Sequence, residues 1–230
     1  MDLVEVILVG CIAGFATSLG GVIAFILPVH KKIILKLTLG FAGGIMVGLS
    51  LFQLMPEGYF FADRLFPVGF GFAVGIIFMV IFSFFIGIEE DNDYKKVGLF
   101  ICLAIALHNF PEGLAIGVGF AGNNSLGFLI AFAMLLHNIP EGLSMSVPLR
   151  KAGTNPVIIL SLTMIAGLVT PIGTIIGWAL GHISMDTLGW SMGLAAGAMI
   201  YVSFTKLFDY NEYWNNLGAF CGILLTFLIA

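Results

Sequence analysis

Two short blocks of this sequence carry side chains that bind metal ions. His108-Asn109-Phe110-Pro111-Glu112-Gly113 recurs as His137-Asn138-Ile139-Pro140-Glu141-Gly142, each flanked by leucines, at an offset of 29 residues. On a helix, positions i, i+1 and i+4 share one broad face. His108, Asn109 and Glu112 are then neighbours, and so are His137, Asn138 and Glu141. Two such helices side by side gather two imidazoles, two amides and two carboxylates. That set is enough for one tightly held divalent cation, or for two bridged by the carboxylates. Imidazole suits zinc, iron, copper and nickel, and the oxygen ligands widen the range toward manganese. With no thiolate in either block, copper(I) is a poor candidate. Pro111 and Pro140 have no N–H to give the carbonyls of Leu107 and Leu136, and their rings push those turns open.

The elements that hold these blocks are membrane spans. The chain has 230 residues, 60% hydrophobic and only 10% charged, with a mean hydropathy of +1.10. Soluble domains are about 45–50% apolar and about 25% charged, so a soluble protein, a disordered tail and a nucleic-acid binder are all excluded. Polar breaks leave eight apolar segments: Leu3–Val29, Ile33–Met55, Phe66–Ile88, Val97–Phe120, Leu126–Leu149, Pro156–Leu180, Leu188–Phe208 and Tyr213–Ala230. Each is near the length of about 20 residues that crosses a bilayer. A break at Gly20-Gly21 would change the count to seven or nine. The expectation is an all-α polytopic membrane protein, one transmembrane domain over residues 1–230, with lipid around it. The blocks then lie near the middle of the fourth and fifth spans. A charged group at that depth costs about 2.5–3.5 kcal/mol on insertion scales, so two glutamates there need a purpose, and a cation between them supplies one. Eight of the nine basic residues fall at one end: Lys31, Lys32, Lys36, Lys95, Lys96, Arg150, Lys151 and Lys206, against Arg64 at the other. Cytoplasmic loops carry that excess, which places both termini outside. Cys11, Cys102 and Cys221 lie in apolar runs with no ligand spacing and read as packing residues.

The paired blocks on the fourth and fifth of eight spans resemble the ZIP (Zrt/Irt-like) family of divalent metal transporters, in its prokaryotic form. Four further stretches are similar to that family: Ala16-Thr17-Ser18-Leu19-Gly20-Gly21, Gly43-Gly44-Ile45-Met46 leading to Leu54-Met55-Pro56-Glu57, Gly167-Leu168-Val169-Thr170-Pro171-Ile172-Gly173, and Ala195 to Val202. The resemblance implies an inverted 3+2+3 arrangement of helices and a homodimer. It implies a midplane metal site from His108, Asn109, Glu112, His137, Asn138 and Glu141, with the two glutamates as bridges. It implies that spans one, four, five and six move against the rest, carrying metal toward the cytoplasm. Two departures stand out. Thr170 occupies a position where many relatives have glutamate, and Thr205-Lys206-Leu207-Phe208 replaces an acidic-Leu-x-Pro sequence. A second metal position would therefore be weaker, and Lys206 reads as a lysine reaching the cytoplasmic interface.

The expected activity is transport of a divalent transition metal by alternating access, with zinc first and cadmium, iron(II), manganese and cobalt as further substrates. No prosthetic group is expected, and no phosphate-binding Gly-x-x-x-x-Gly-Lys motif occurs. The rival readings are an intramembrane zinc hydrolase and a metal-gated channel or sensor. Against the first, His-Glu-x-x-His is missing, and the repeat is symmetric where a catalytic site needs distinct roles. Gln53 and Glu57 end the second span and read as ordinary helix-end groups or as a capture site. His182 with Asp186, and the run Glu89-Glu90-Asp91-Asn92-Asp93, read as solvated loops.

Overall fold

In hydrocarbon a chain must satisfy its own backbone hydrogen bonds, which leaves helices as the form for these segments. The computed structural model describes residues 2–86, 93–180 and 184–229. They form eight helices, with no strand among the described residues: α1 Leu3–Ile26, α2 Lys32–Ala62, α3 Leu65–Ile86, α4 Tyr94–Gly122, α5 Asn124–Lys151, α6 Pro156–Leu180, α7 Met185–Leu207 and α8 Tyr213–Ile229. Seven are long and apolar enough to cross a membrane. The eighth, at 17 residues, is just long enough, since the spanning range begins at about 17. The chain is thus a multi-pass membrane protein.

Local chemistry accounts for the helix ends and breaks. Asp2 opens α1 by accepting from the Glu5 N–H at 2.9 Å while its own N–H donates to the Glu5 carboxylate at 3.1 Å, a reciprocal cap. α1 runs unbroken through Gly20-Gly21. α2 passes the expected end at Met55 and continues to Ala62, leaving only Asp63-Arg64 before α3. A wide π turn over Ser50–Leu54 precedes Pro56, and such a turn accommodates the lost N–H and the bulk of the ring. α6 is interrupted at Leu168. Pro171 cannot donate to the carbonyl of Gly167, so the turn there opens. α7 closes on a second π turn, Ser203–Leu207.

These breaks fall in pairs. Ala13-Gly14-x-x-Thr17 in α1 matches Ala166-Gly167-x-x-Thr170 in α6 at an offset of 153 residues. At the same offset, Gly44-x-Met46-x-x-x-Ser50-x-x-x-Leu54 in α2 matches Gly197-x-Met199-x-x-x-Ser203-x-x-x-Leu207 in α7. The packing repeats as well. A Cβ on Gly40 or Gly44 would meet the carbonyls of Asn215 and Ala219 on α8, and one on Gly193 or Gly197 those of Val68 and Phe72 on α3. Three helices, a central pair and three inverted helices make the fold, as the resemblance implies.

The helices divide into two bodies. α1, α4, α5 and α6 are tied by Asn109 to Ala166, Asn138 to Ala13 and the guanidinium of Arg150 to the carbonyls of Ala24 and Leu27. α2, α3, α7 and α8 are tied by Ser50 to Ala196, Tyr201 to Ser83, and Asn215 to Lys36 and Leu207. Between the bodies runs an apolar seam that includes Phe100 of α4 and Tyr201 of α7, whose ring centroids lie 6.3 Å apart.

Candidate metal centre

α4 and α5 bring the two sequence blocks together. His108, Glu112, His137 and Glu141 are all buried, and one ligand atom from each lies within 4.8 Å of the others. His108 Nε2 is 2.6 Å from Glu141 Oε1 and 3.1 Å from Glu112 Oε1; His137 Nε2 is 2.6 Å from Glu112 Oε1. Each shortest pair joins the imidazole of one helix to the carboxylate of the other. An ionised carboxylate only accepts, so each ring nitrogen donates the shared proton. A cation displaces those protons when it takes the same atoms as ligands.

The asparagines stand differently from the other four. Asn109 Nδ2 donates to the carbonyl of Ala166 at 2.9 Å, and Asn138 Nδ2 to that of Ala13 at 2.8 Å. Their amide nitrogens therefore lock α4 onto α6 and α5 onto α1. Their Oδ1 atoms have no hydrogen-bond partner within the protein, nor do Oε2 of Glu112, Oε2 of Glu141, Nδ1 of His108, or the hydroxyls of Thr17 and Thr170. Such a density of unpartnered buried acceptors is costly in a protein interior, a cost that a cation among them would offset.

Glycines set how closely the helices approach. A Cβ on Gly142 would lie 1.8 Å from the carbonyl oxygen of Thr17, and one on Gly113 2.1 Å from that of Thr170. Gly14 and Gly167 face each other in the same way, at 2.1 and 2.2 Å. Each glutamate is thus followed by a residue whose missing side chain lets α1 or α6 come into backbone contact, as small residues do in membranes.

Two chambers flank the centre. One, of about 510 Å³, is lined by Gln53 and Glu57 of α2 and Leu129, Leu136 and His137 of α5. It opens at the end of the bundle that carries both termini and reaches the His/Glu cluster through His137. The other, of about 440 Å³, lies at the basic end and is lined by Lys36, Tyr94, Val97, Lys206, Asp209 and Asn215. It stops well short of the cluster. The eleven residues from Val97 to His108 span about 16 Å of helix, and Phe100, Ile101, Ala104 and Ile105 fill that stretch. Of the described residues that line these two chambers, His137 of the first belongs to the cluster and none of the second does. Lys36 Nζ lies 2.6 Å from Asp209 Oδ2. This ammonium holds the Asp209 carboxyl below its ordinary range.

Of the six residues predicted from the repeated blocks, the amides of Asn109 and Asn138 reach Ala166 and Ala13, while His108, Glu112, His137 and Glu141 meet at one place. Gln53 and Glu57 come within reach of it, in the wall of the first chamber. Thr170 is fully buried beside Gly113. His182 and the segment Glu89 to Asn92 lie outside the described residues. Asp186 pairs with Arg64 at 3.6 Å, and Asp93 caps α4 by accepting from Lys95 and Lys96. The anchors Ala13, Thr17 and Ala166 are not reached from the 29-residue repeat. Their signal is the 153-residue repeat of Ala-Gly-x-x-Thr.

Comparison with known proteins agrees with this arrangement. Residues 87–230 match the family described as ZIP Zinc transporter. The zinc transporter ZupT of Streptococcus mutans serotype c is 32% identical over 242 residues, covering 95% of this chain and 92% of that protein. The zinc transporter ZupT of Chlorobium limicola is 34% identical over 241 residues, covering 93% and 91%. That of Stenotrophomonas maltophilia strain R551-3 is 34% identical over 218 residues, covering 85% and 81%. The chain belongs to the ZIP family of zinc transporters.

Proposed function

We infer that this protein carries divalent metal ions, zinc foremost, across the membrane into the cytoplasm. The observation that carries the reading is the buried cluster of His108, Glu112, His137 and Glu141, which among the described residues the first chamber touches at His137 and the second does not touch. A centre open to one side and sealed on the other by packed apolar side chains is one end state of a carrier. The opposite state follows when the seam between the two bodies slips, since every tie named above lies within one body. An apolar seam lets the bodies slide without breaking hydrogen bonds.

His108, Glu112, His137 and Glu141 are the metal ligands in this reading. Asn109 and Asn138 contribute their unpartnered Oδ1 atoms while their amide nitrogens hold the helices. Cadmium, iron(II), manganese and cobalt fit the same donors with lower preference. The basic end faces the cytoplasm, which places both termini outside. As in the family resemblance, the chain works as a homodimer. Neither a hydrolase nor a sensor is favoured: the two halves of the centre are equivalent by repeat, and the relatives carry the name of zinc transporters.

Uptake into proteoliposomes tests the reading. Zinc, cadmium, manganese, iron(II) and cobalt are offered to wild type, Glu112→Ala and Glu141→Ala. Saturable wild-type uptake that both variants lose is the expected result. Undiminished uptake in both would refute the site, and turnover of a peptide or lipid without metal flux would restore the hydrolase.

A further inference from the structure

A third cleft, of about 260 Å³, lies between the two bodies. Leu27, at the end of α1, and Leu143 of α5 line one wall; Leu37 and Phe41 of α2 and Gly218 and Cys221 of α8 line the other. Three helices agree on its depth. Phe41 lies nine residues from Lys32 on α2, Leu143 eight from Lys151 on α5, and Cys221 eight from Tyr213 on α8, about 12–14 Å of helix in each case. Half of a hydrocarbon core is about 15 Å, so the cleft sits at the level of acyl chains in the leaflet at the basic end. Cys221 is exposed, and the cleft therefore opens sideways, toward lipid. The one hydroxyl in its wall among the described residues, that of Thr38, already donates to the Ile34 carbonyl at 2.8 Å. Nothing there calls for a polar guest, and an empty apolar cleft forfeits the contacts of its walls.

Cations gather at the mouth of this cleft. The guanidinium of Arg150 donates to the carbonyl of Leu27 itself. Lys31, in the same compact bend as Leu27, is exposed, and so are Lys32 and Lys151. The facing carboxylate, Glu212, pairs with Lys32 at 2.5 Å, and the neighbouring pair of Lys36 and Asp209 is neutral. Among the described residues the rim thus sets four cations against one unshared carboxylate. We propose that the cleft binds an anionic phospholipid, one acyl chain between the bodies and the phosphate among Lys31 and Arg150, and that this lipid opposes their slip. The second half of the proposal rests on the transport reading above. Hydrocarbon gives apolar surfaces no drive to associate, so the chain fills the gap while the phosphate supplies the selectivity. Basic pockets between helices on the cytoplasmic side suit anionic head groups. The chain touches both bodies at once, Leu27 and Leu143 on one and Leu37 and Phe41 on the other. Sliding reshapes the cleft, so the lipid favours the state described here and shifts the equilibrium toward it. Removing one basic residue from such a rim lowers the preference for anionic over neutral lipid about fivefold.

The test uses the full chain in proteoliposomes with a trace of phosphatidylglycerol or phosphatidylcholine that carries a diazirine in one acyl chain. After irradiation, adducts are mapped by mass spectrometry. The phosphatidylglycerol probe is expected to label peptides holding Leu37 to Phe41 and Gly218 to Cys221, at least about fivefold above the phosphatidylcholine probe. Lys31 makes no side-chain cap on α2, so its replacement leaves the helix start alone. Lys31→Gln is expected to cut the preference about fivefold, and Lys31→Arg to keep it. Cys221→Trp, which fills the cleft, is expected to abolish the labelling. Equal labelling by both probes overturns the proposal. So does displacement of the probe by inorganic phosphate, which would make this a phosphate site, or a disulfide between Cys221 of two copies on mild oxidation, which would seat a second chain there. Where Lys31→Gln does not fold, the two probes on wild type decide. Zinc uptake reads the coupling. In vesicles rich in phosphatidylglycerol, Lys31→Gln should take up zinc faster than wild type, by up to about fivefold, and in phosphatidylcholine alone the two should match. Equal rates in both lipids overturn the coupling and the proposal with it. No zinc uptake in any sample overturns the transport reading, and the labelling decides the lipid site independently.

Discussion

Replacing Gly142 by alanine tests the link between helix approach and metal binding. The added Cβ would sit 1.8 Å from the Thr17 carbonyl oxygen, whereas real Cβ contacts stay above 3.0 Å. That neighbour is backbone, so α1 and α5 must part by at least 1.2 Å, the difference between these values. Ala13 lies one turn before Thr17 on the same helix. A shift of that size stretches its 2.8 Å bond from Asn138 to about 4 Å, beyond hydrogen-bond range. Overpacking costs about 1–3 kcal/mol and an orphaned buried amide about as much again, for about 2–6 kcal/mol in all. Loss of a group that orients a ligand weakens metal binding by about 10- to 100-fold. Thermal unfolding in detergent reads the first effect and titration calorimetry with zinc the second. Gly69→Ala is the control: nothing lies within 4 Å of its added Cβ, and alanine within a helix should gain about 0.5–1 kcal/mol. Gly113→Ala, the repeat partner, should behave as Gly142→Ala does. Should Gly142→Ala melt with the control and bind zinc like wild type, backbone contact does not set the geometry of the centre.

Three other outcomes are expected. Glu112→Gln and Glu141→Gln should each weaken zinc binding by about 10²–10³-fold and by similar amounts, because the repeat makes them equivalent; a loss confined to one variant, seen by calorimetry, contradicts that equivalence. Thr170→Glu adds a carboxylate at a fully buried position and should strengthen a second metal position; anomalous scattering from cadmium-soaked crystals should show an added peak near residue 170. Asp209 titrates below its ordinary value near 3.8 because the Lys36 ammonium donates to it, so its stabilising contribution is full above that value and disappears as pH falls through the lowered one. Asp209→Asn should therefore melt below wild type at neutral pH and converge with it under strongly acid conditions, as read by thermal unfolding across pH.

Periodicity alone pointed to the cluster because its four side chains lie on two helices with the same local spacing. Helix geometry carries His108 to Glu112 and His137 to Glu141, and repetition declares that the two helices meet. The second layer was harder to see. Asn138 finds Ala13 at a sequence distance of 125 residues, and no local pattern joins an amide to a backbone carbonyl. The 153-residue repeat was readable in Ala-Gly-x-x-Thr, yet four shared positions scattered over eleven in α2 and α7 are faint beside five in six. The extra length of α2 was hidden for another reason. Pro56 signals a helix end in an ordinary α-helix, and the wide turn ahead of it suspends that rule. The salt bridge of Lys36 to Asp209 joins residues 173 apart, which the packing of α2 on α8 brings together, with Asn215 of α8 bonded to both.

The link between α1 and α2 carries a further consequence. It joins the two bodies, and residues 27–31 form it as a compact bend, with the Val29 N–H donating to Leu27 and the Lys31 N–H to Pro28. Drawn taut, the chain from Ile26 to Lys32 reaches about 20 Å. This strap caps the stroke at that corner of the molecule: slack in the bend sets the travel, and contour length sets its limit.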